Sequence, residues 1–177
     1  MAYNRDKFKS LVHYVCWRCK SDPSKLGAIK LNKILWLSDF LSYYHSDEPL
    51  TGARYVKRQF GPVPGAIMPI LRELETEGRV ITRDVPFYKN KKREFIVLRD
   101  PDPSVFSEEE LDLVNNLTIY VTEEHTAQSI SDESHDHIWQ AAEDGEEIPY
   151  YTIFAIPGQI TEDEREWAKA ELETLRG

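Results

Sequence analysis

The chain has 177 residues, and its hydrophobic fraction of 41% is enough for one domain with a substantial core. It lacks an apolar run of about 18 residues, a signal-peptide-like start and a disulfide framework, so we expect a cytoplasmic protein outside the membrane. Its net charge of −9 is uneven: residues 1–100 carry 19 Lys and Arg against 11 Asp and Glu, and residues 101–177 carry 3 against 20. This asymmetry indicates a charged partner, mutual neutralisation of the two halves, or an ordinary acidic surface.

The first predicted helix covers residues 8–19, where apolar residues recur at the spacing of one helix face. Cys16 and Cys19 lie on that face with the spacing of a metal or redox pair, and His13 precedes them. A structural zinc site usually has four ligands, and the chain has no second cysteine pair. We therefore expect both sulfurs to pack in the core as small hydrophobic groups.

The second predicted helix, residues 28–44, is apolar on most of its sides. A helix of this kind is normally buried on most sides, so we place it at the centre of the domain. Its polar exceptions are Lys30, Lys33 and Asp39. We interpret Asp39 as a buried acid paired with a Lys or Arg, with a partner contact as the alternative.

Residues 54–60 are typical of a strand or an extended connector, and the two prolines of residues 61–64 make a rigid elbow that aims the next helix. That helix is predicted over residues 66–77. Residues 80–82 and 94–98 then read as two strands, with a basic segment, residues 89–93, between them. The sequence predicts an α+β fold, mostly α, with a small winged-helix-like β-hairpin.

Further helices are predicted after residue 106. A capping box opens one at Ser107, a short helix covers residues 126–132, and Ser134 is expected to cap another that runs to residue 143. A second capping box at Thr161 opens an acidic terminal helix, which either docks on the domain or presents Trp167 and its acids to a partner. We expect one domain over residues 1–155 and treat residues 156–177 as its appendage.

Three histidines, His125, His135 and His137, lie among acidic residues and suggest a metal site. On a helix, however, His135 and His137 would point to different faces. We expect no metal, a buried hydrogen bond for His135, and a core position for Trp139.

Four ordered motifs carry a resemblance to a known family. They are Lys30-Leu-Asn-Lys33-Ile-Leu-Trp-Leu-Ser-Asp39, then Thr51-Gly52…Tyr55-Val56, then Phe60-Gly61-Pro62-Val63-Pro64, and finally Ser134-His135…Trp139 with Gly145 and Ile148-Pro149-Tyr150. Over residues 5–150 the chain resembles the Panacea domain, the SocA-like antitoxin family that is also called phage-associated GepA-like. It departs from the usual pattern at Phe60, where Tyr is commoner, and at Trp36, where a smaller aromatic is usual.

The resemblance implies an antitoxin that neutralises a cognate protein toxin by direct binding. Related members pair with diverse toxins, and a SocA-type member acts as an adaptor that hands its toxin to a ClpXP-like AAA+ protease. No phosphate-binding glycine loop, nucleophile elbow or metalloprotease motif is present, so we expect a binding protein without enzymatic activity or cofactor. The acidic half could mimic a nucleic acid for a basic toxin. Predicted contact residues, which alternatively only build the fold, are Tyr55, Arg58, Phe60, Pro62 and Val63.

The alternative function is a winged-helix-like DNA-binding regulator, and autoregulation could combine both roles. Its phosphate contacts would be Arg54, Lys57, Arg58, Lys89, Lys91, Lys92 and Arg93. Against this reading, the predicted helix 66–77 holds three acids, Glu73, Glu75 and Glu77, and only one base, Arg72. A recognition helix of that charge would be repelled by the duplex.

Overall fold

The computed structural model describes residues 2–155, and no helix within that range is long and apolar enough to cross a membrane. The helices are α1 Arg5–Arg18, α2 Gly27–Ser46, α3 Ile67–Thr76, α4 Glu108–Ile119, α5 Ala127–Glu133 and α6 His137–Ala141. The strands are β1 Tyr55–Arg58, β2 Gly61–Pro64, β3 Val80–Phe87 and β4 Asn90–Val97. Two antiparallel two-stranded sheets, β1–β2 and β3–β4, complete an α+β architecture that is mostly α, as predicted.

Helix α2 lies at the centre of the domain, which confirms the prediction from its apolar circumference. It packs against α1, α4, α5, β2 and β4, and its large apolar side chains, such as Leu31, Ile34 and Phe40, are almost fully buried. Neighbours on nearly every side leave little room for solvent, so the polar residues of α2 must find partners inside the protein.

Helix α1 buries the predicted apolar face, and both cysteines belong to it. Burial raises the pKa of the Cys16 thiol far above its ordinary value and that of Cys19 to about 11. His13 is buried too, but its Nε2 lies 2.8 Å from the carbonyl oxygen of Arg99. The two sulfurs are therefore core groups, as expected, and both thiols stay protonated at neutral pH.

Residues 61–64 are a strand rather than the predicted connecting elbow. Strand β2 pairs with β1 in a register that joins Tyr55 to Pro64 and Arg58 to Gly61, leaving Gln59 and Phe60 as a two-residue turn. The turn closes because Gly61 adopts a φ of +103°, which residues with a side chain rarely take. The double-proline segment still leads into α3, but it does so as part of a hairpin.

The second hairpin is longer than the sequence predicted, because most of the basic segment belongs to β4 rather than to a loop. Two cross-strand ion pairs join its strands: Arg83 to Glu94 at 2.8 Å and Arg93 to Asp84 at 3.1 Å. Opposite charges on facing strands stabilise pairing, and this extends the ladder beyond the short apolar stretches. We call this β3–β4 hairpin the wing.

The C-terminal half follows the predicted order with one change of cap. Ser107 forms the predicted capping box with Glu110, and α5 begins after Thr126 as expected. Helix α6 is capped by Asp136 and not by Ser134, because the Ser134 hydroxyl donates to the carbonyl of Ser131. The predicted capping box at Thr161 and the terminal helix lie outside the described residues, so the boundary at residue 155 stays a prediction.

Asp39 is fully buried, as expected, but its partners are amides and hydroxyls rather than a Lys or Arg. Its carboxylate accepts from the Thr51 amide at 2.5 Å, the Thr51 hydroxyl at 2.7 Å and the Tyr55 hydroxyl at 2.7 Å, with the Gly52 amide at 3.3 Å. Several donors on one carboxylate satisfy its charge without a cation. These bonds tie the chain after α2, together with the start of β1, onto the central helix.

We predict that Tyr55→Phe lowers the free energy of unfolding by about 1–3 kcal/mol, because the buried carboxylate of Asp39 loses a donor. Urea denaturation measures the change. The matched control is Tyr88→Phe, which removes the hydroxyl of a side chain that is 94% exposed and should change stability by less than about 0.5 kcal/mol. Equal midpoints for the two variants would show that the Tyr55 hydroxyl contributes nothing.

Candidate functional site

A buried lysine joins three distant parts of the chain. Lys33 of α2 is 1% exposed, and its Nζ donates to the hydroxyl of Ser134, at the end of α5, at 2.5 Å. Gly61 of β2 closes the site from the third side: a Cβ on Gly61 would lie 1.7 Å from the Lys33 Nζ and 2.6 Å from the Ser134 Oγ. Only glycine fits there, both for space and for its positive φ. We call Lys33, Gly61 and Ser134 the lysine junction.

The electrostatics of the lysine junction disfavour a charged lysine. Burial lowers the pKa of Lys33 to about 7, against a smaller opposing effect of the Asp136 carboxylate. The pKa of His135 is also lowered, first by burial and then by the nearby Lys33 charge. A lysine of low pKa beside a serine resembles a nucleophile with its base, but both side chains are buried, so no substrate can reach the hydroxyl. The geometry supports a structural role.

The surface above the lysine junction combines the β1–β2 hairpin with residues 134–148. The backbone of Lys57 bonds to those of Gly145 and Glu146 at 2.9 and 2.8 Å, so the C-terminal segment runs along the free edge of β1. Trp139 donates from its ring nitrogen to the carbonyl of Arg58 at 3.2 Å, and the His135 ring stacks on it at 3.7 Å. Both side chains are half-buried: the His135 Nε2 lies 3.3 Å from the Ser131 hydroxyl, and Trp139 packs against the edge of the core, so the expected hydrogen bond and core position are confirmed in part.

The bases of β1 are neutralised by the acidic half of the chain. Arg54 pairs with Glu147, Arg58 pairs with Asp144 at 3.0 Å, and the Lys57 Nζ donates to the carbonyl of Ala142 at 2.8 Å. Exposed pairs of this kind stabilise a fold only slightly. They do show that mutual neutralisation, one of the predicted explanations of the charge asymmetry, operates at this hairpin.

The five predicted partner-binding residues divide by exposure. Tyr55 and Pro62 are buried and Val63 is half-buried, so a partner cannot touch Tyr55 or Pro62 directly. Arg58 is exposed, and Phe60 leaves 46% of its surface open. We call residues 58–60, the last residue of β1 and the two turn residues, the hairpin tip. The two buried residues, Tyr55 and Pro62, hold the hairpin tip in position.

Some predicted phosphate-contact residues of the DNA-binding alternative already have partners within the protein, and others do not within residues 2–155. Arg54, Lys57 and Arg93 have the partners given above, and the Lys92 Nζ donates to the carbonyl of Ser24. Within residues 2–155, Lys89 and Lys91 are exposed at the wing without an ion pair.

The acids of α3 proved to be less repulsive than the sequence suggested. Glu73 pairs with Arg5 at 2.5 Å, and Glu77 pairs with Lys9 at 2.6 Å, so bases of α1 neutralise them. The exposed side of α3 still carries a single base, Arg72, beside the acid Glu75.

Sites for small ligands are poorly developed in the described part of the chain. Two cavities there have volumes of about 170 and 250 Å³, below the range of about 300–1,000 Å³ that is usual for small-molecule sites. One lies between Cys19 and Glu123, and the other lies between Asn4 and Ser46. No group of three or more His, Cys, Asp or Glu within residues 2–155 could hold a metal ion.

Sequence reasoning missed the lysine junction, because 101 residues separate Lys33 from Ser134. The available signals were a lysine within an otherwise apolar helix and a glycine between an aromatic residue and a proline. Neither signal identifies the other partner.

We predict that Gly61→Ala destabilises the fold by at least about 2 kcal/mol in urea denaturation, through strain at positive φ and displacement of Lys33. Gly65→Ala is the control, because its φ is not positive and its new Cβ would meet only the Arg54 carbonyl at 3.8 Å. A small loss in both variants would contradict the tight contact at Gly61.

The lowered pKa of Lys33 predicts a pH-dependent stability. Between about pH 7 and pH 10.5 the unfolded chain holds a proton on Lys33 that the folded chain has released. The contribution of Lys33 to the free energy of unfolding therefore increases as the pH rises through this window. Lys33→Met should remove this increase. The free energy of unfolding of the variant minus that of the native protein should therefore be highest near pH 7 and lower at pH 9.5. Lys89→Met, at an exposed site, should show no such trend; a constant difference for Lys33→Met would contradict the shift.

The described geometry can be compared with known proteins. Neither the curated proteins nor the solved structures include a match. The family model described as "Antitoxin SocA-like, Panacea domain" matches residues 31–140, a segment that contains Lys33, Asp39, Gly61 and Ser134. Since this match covers 110 of the 177 residues, the chain belongs to the SocA-like antitoxin family and carries its Panacea domain.

Proposed function

We propose that this protein is an antitoxin that neutralises a cognate protein toxin by direct contact through the hairpin tip. The family gives the general role, which is part of a toxin–antitoxin pair. The supporting observation is that Lys33, Asp39, Gly61 and Tyr55 point inward and brace the hairpin, while Arg58 and Phe60 at its turn face solvent.

A braced hairpin suits protein recognition. The strand pairing of β1 with β2, the contacts with residues 145–148 and the lysine junction hold the turn on three sides. A surface that is rigid before binding loses little conformational entropy on binding. Aromatic residues and arginine are also the types that most often dominate the binding energy of interfaces, and the tip offers Phe60 and Arg58.

The charge of the C-terminal half favours a basic toxin. Residues 101–155 contain 14 Asp and Glu and no Lys or Arg. Five of those acids have ion pairs within the described chain, with Lys7, Lys25, Arg54, Arg58 and His125, so most of the negative charge remains available to attract a positive partner. Complementary charge raises the rate of encounter and excludes wrong partners. An acidic surface of this kind could also occupy the nucleic-acid site of a basic toxin.

The fate of the bound toxin is the finer part of the proposal. By resemblance to a SocA-type member, the complex would be handed to a ClpXP-like AAA+ protease, with the antitoxin acting as adaptor. Degradation of the toxin that requires both this chain and the protease would support the adaptor role. Neutralisation at an unchanged toxin level would indicate occlusion alone.

The test uses the product of the adjacent gene, which we expect to be a small toxic protein. Co-expression of the native chain should restore growth, and Phe60→Ala should weaken binding by at least about tenfold, since hot-spot truncation typically costs more than about 1–2 kcal/mol. Calorimetry measures the affinity, and Arg58→Ala should show a smaller loss because Asp144 already shares its charge. The control is Tyr88→Ala, another exposed aromatic at the far end of the wing.

Failure of the native chain to bind or rescue would reject the proposal, and equal effects of Phe60→Ala and Tyr88→Ala would reject the hairpin tip as its site. A salt titration separates the alternative. Affinity of a DNA-binding regulator for duplex DNA should fall steeply between 50 and 200 mM salt, whereas a toxin interface centred on Phe60 should lose only the part of its affinity that comes from charge attraction.

A further inference from the structure

The turn at the end of the wing contains a tyrosine, Tyr88, in a backbone conformation that is unfavourable for residues with a side chain. Phe87 pairs with Asn90, so Tyr88 and Lys89 form a two-residue turn, and Tyr88 has a φ of +51°. Turns of this length favour Gly, Asn or Asp at positive φ, and a bulkier residue there costs about 1–2 kcal/mol. The Tyr88 ring is 94% exposed, and its ring neighbour is the half-exposed Phe87, in an edge contact at 4.9 Å.

The same tip concentrates positive charge. Within residues 2–155, Lys89, Lys91 and Lys92 have no ion pair, whereas the arginines nearer the base of the wing are bonded to Glu94 and Asp84. The Lys92 Nζ also lies 5.4 Å from the centre of the Phe87 ring. We call residues 87–92 the wing tip: two exposed aromatic rings beside three lysines that have no carboxylate partner in the part of the chain that the structure describes.

Exposed aromatic rings next to lysines form a surface that suits single-stranded nucleic acid. Unpaired bases stack on exposed rings, and phosphates between them pair with lysines. A stacked duplex would offer its phosphates but not the faces of its bases. Reading a duplex would also require α3 to enter a groove, and its exposed side carries Arg72 against Glu75.

We propose that the wing tip binds single-stranded nucleic acid, with bases stacked on Tyr88 and Phe87 and phosphates held by Lys89 and Lys91. This site is separate from the hairpin tip and does not depend on the toxin interaction. The stacking role accounts for a tyrosine at a strained position where glycine would suit the fold better.

The test is fluorescence anisotropy of the full chain with labelled oligothymidine of 20 nucleotides at 50 mM salt. Tyr88→Gly should keep or increase stability, because glycine suits the positive φ, while weakening oligonucleotide binding by at least about fivefold for one lost stack. The variant carrying both Lys89→Ala and Lys91→Ala should reduce the slope of log affinity against log salt by about 1.4, the value for two lost phosphate contacts.

Phe60→Ala is the control, because it alters the hairpin tip and should leave oligonucleotide affinity unchanged. Native affinity in the Tyr88→Gly variant would overturn the proposal. So would absent binding, equal binding of a duplex of the same length, or binding to phosphatidylserine vesicles without binding to the oligonucleotide. Loss of toxin binding with intact oligonucleotide binding would reject only the antitoxin proposal.

Discussion

The buried carboxylate of Asp39 is the interaction on which the domain depends. It lies within the central helix and forms no ion pair with the residues that the structure describes, and its charge is satisfied by the Thr51 amide and hydroxyl and by the Tyr55 hydroxyl. A carboxylate in this position requires the chain to return to α2 immediately after that helix ends. That return sets where β1 begins, and β1 in turn places the whole β1–β2 hairpin against the core.

Lys33 ties part of the C-terminal half to α2, as Asp39 ties the start of β1. It lies six residues before Asp39, roughly 9 Å along the same helix. Its amine reaches Ser134 at the α5–α6 junction and requires a glycine at the start of β2. Two polar residues in one apolar helix thus anchor two separate parts of the chain, residues 51–61 and Ser134. The sequence motifs on which the resemblance was based supply both sides of these contacts, and their buried side chains, such as Lys33 and Asp39, lie out of reach of a substrate.

Charge organises the surface in a different way. The basic first hundred residues and the acidic remainder meet along β1, where Arg54 and Arg58 pair with Glu147 and Asp144, and near α1, where Lys7 pairs with Glu110. Each exposed pair adds little stability. Within the described residues they neutralise the bases of β1 and part of α1, while residues 101–155 keep more acids than paired bases and the wing tip keeps lysines without an ion pair. These are the regions to which we assign, respectively, attraction of a basic toxin and binding of single-stranded nucleic acid.

The sequence by itself determined the elements whose signals are local. The apolar circumference of α2 placed it at the centre, the stripe on α1 put Cys16 and Cys19 in the core, and Ser107 with Glu110 marked the start of α4, because helix faces and caps depend on residues within one or two turns. The tertiary structure alone decided the partners of Asp39 and Lys33, the cap of α6, the strand nature of residues 61–64 and the neutralisation of the α3 acids. Each of these depends on which distant groups share one space, and a buried polar side chain shows only that it needs a partner, not which segment supplies it.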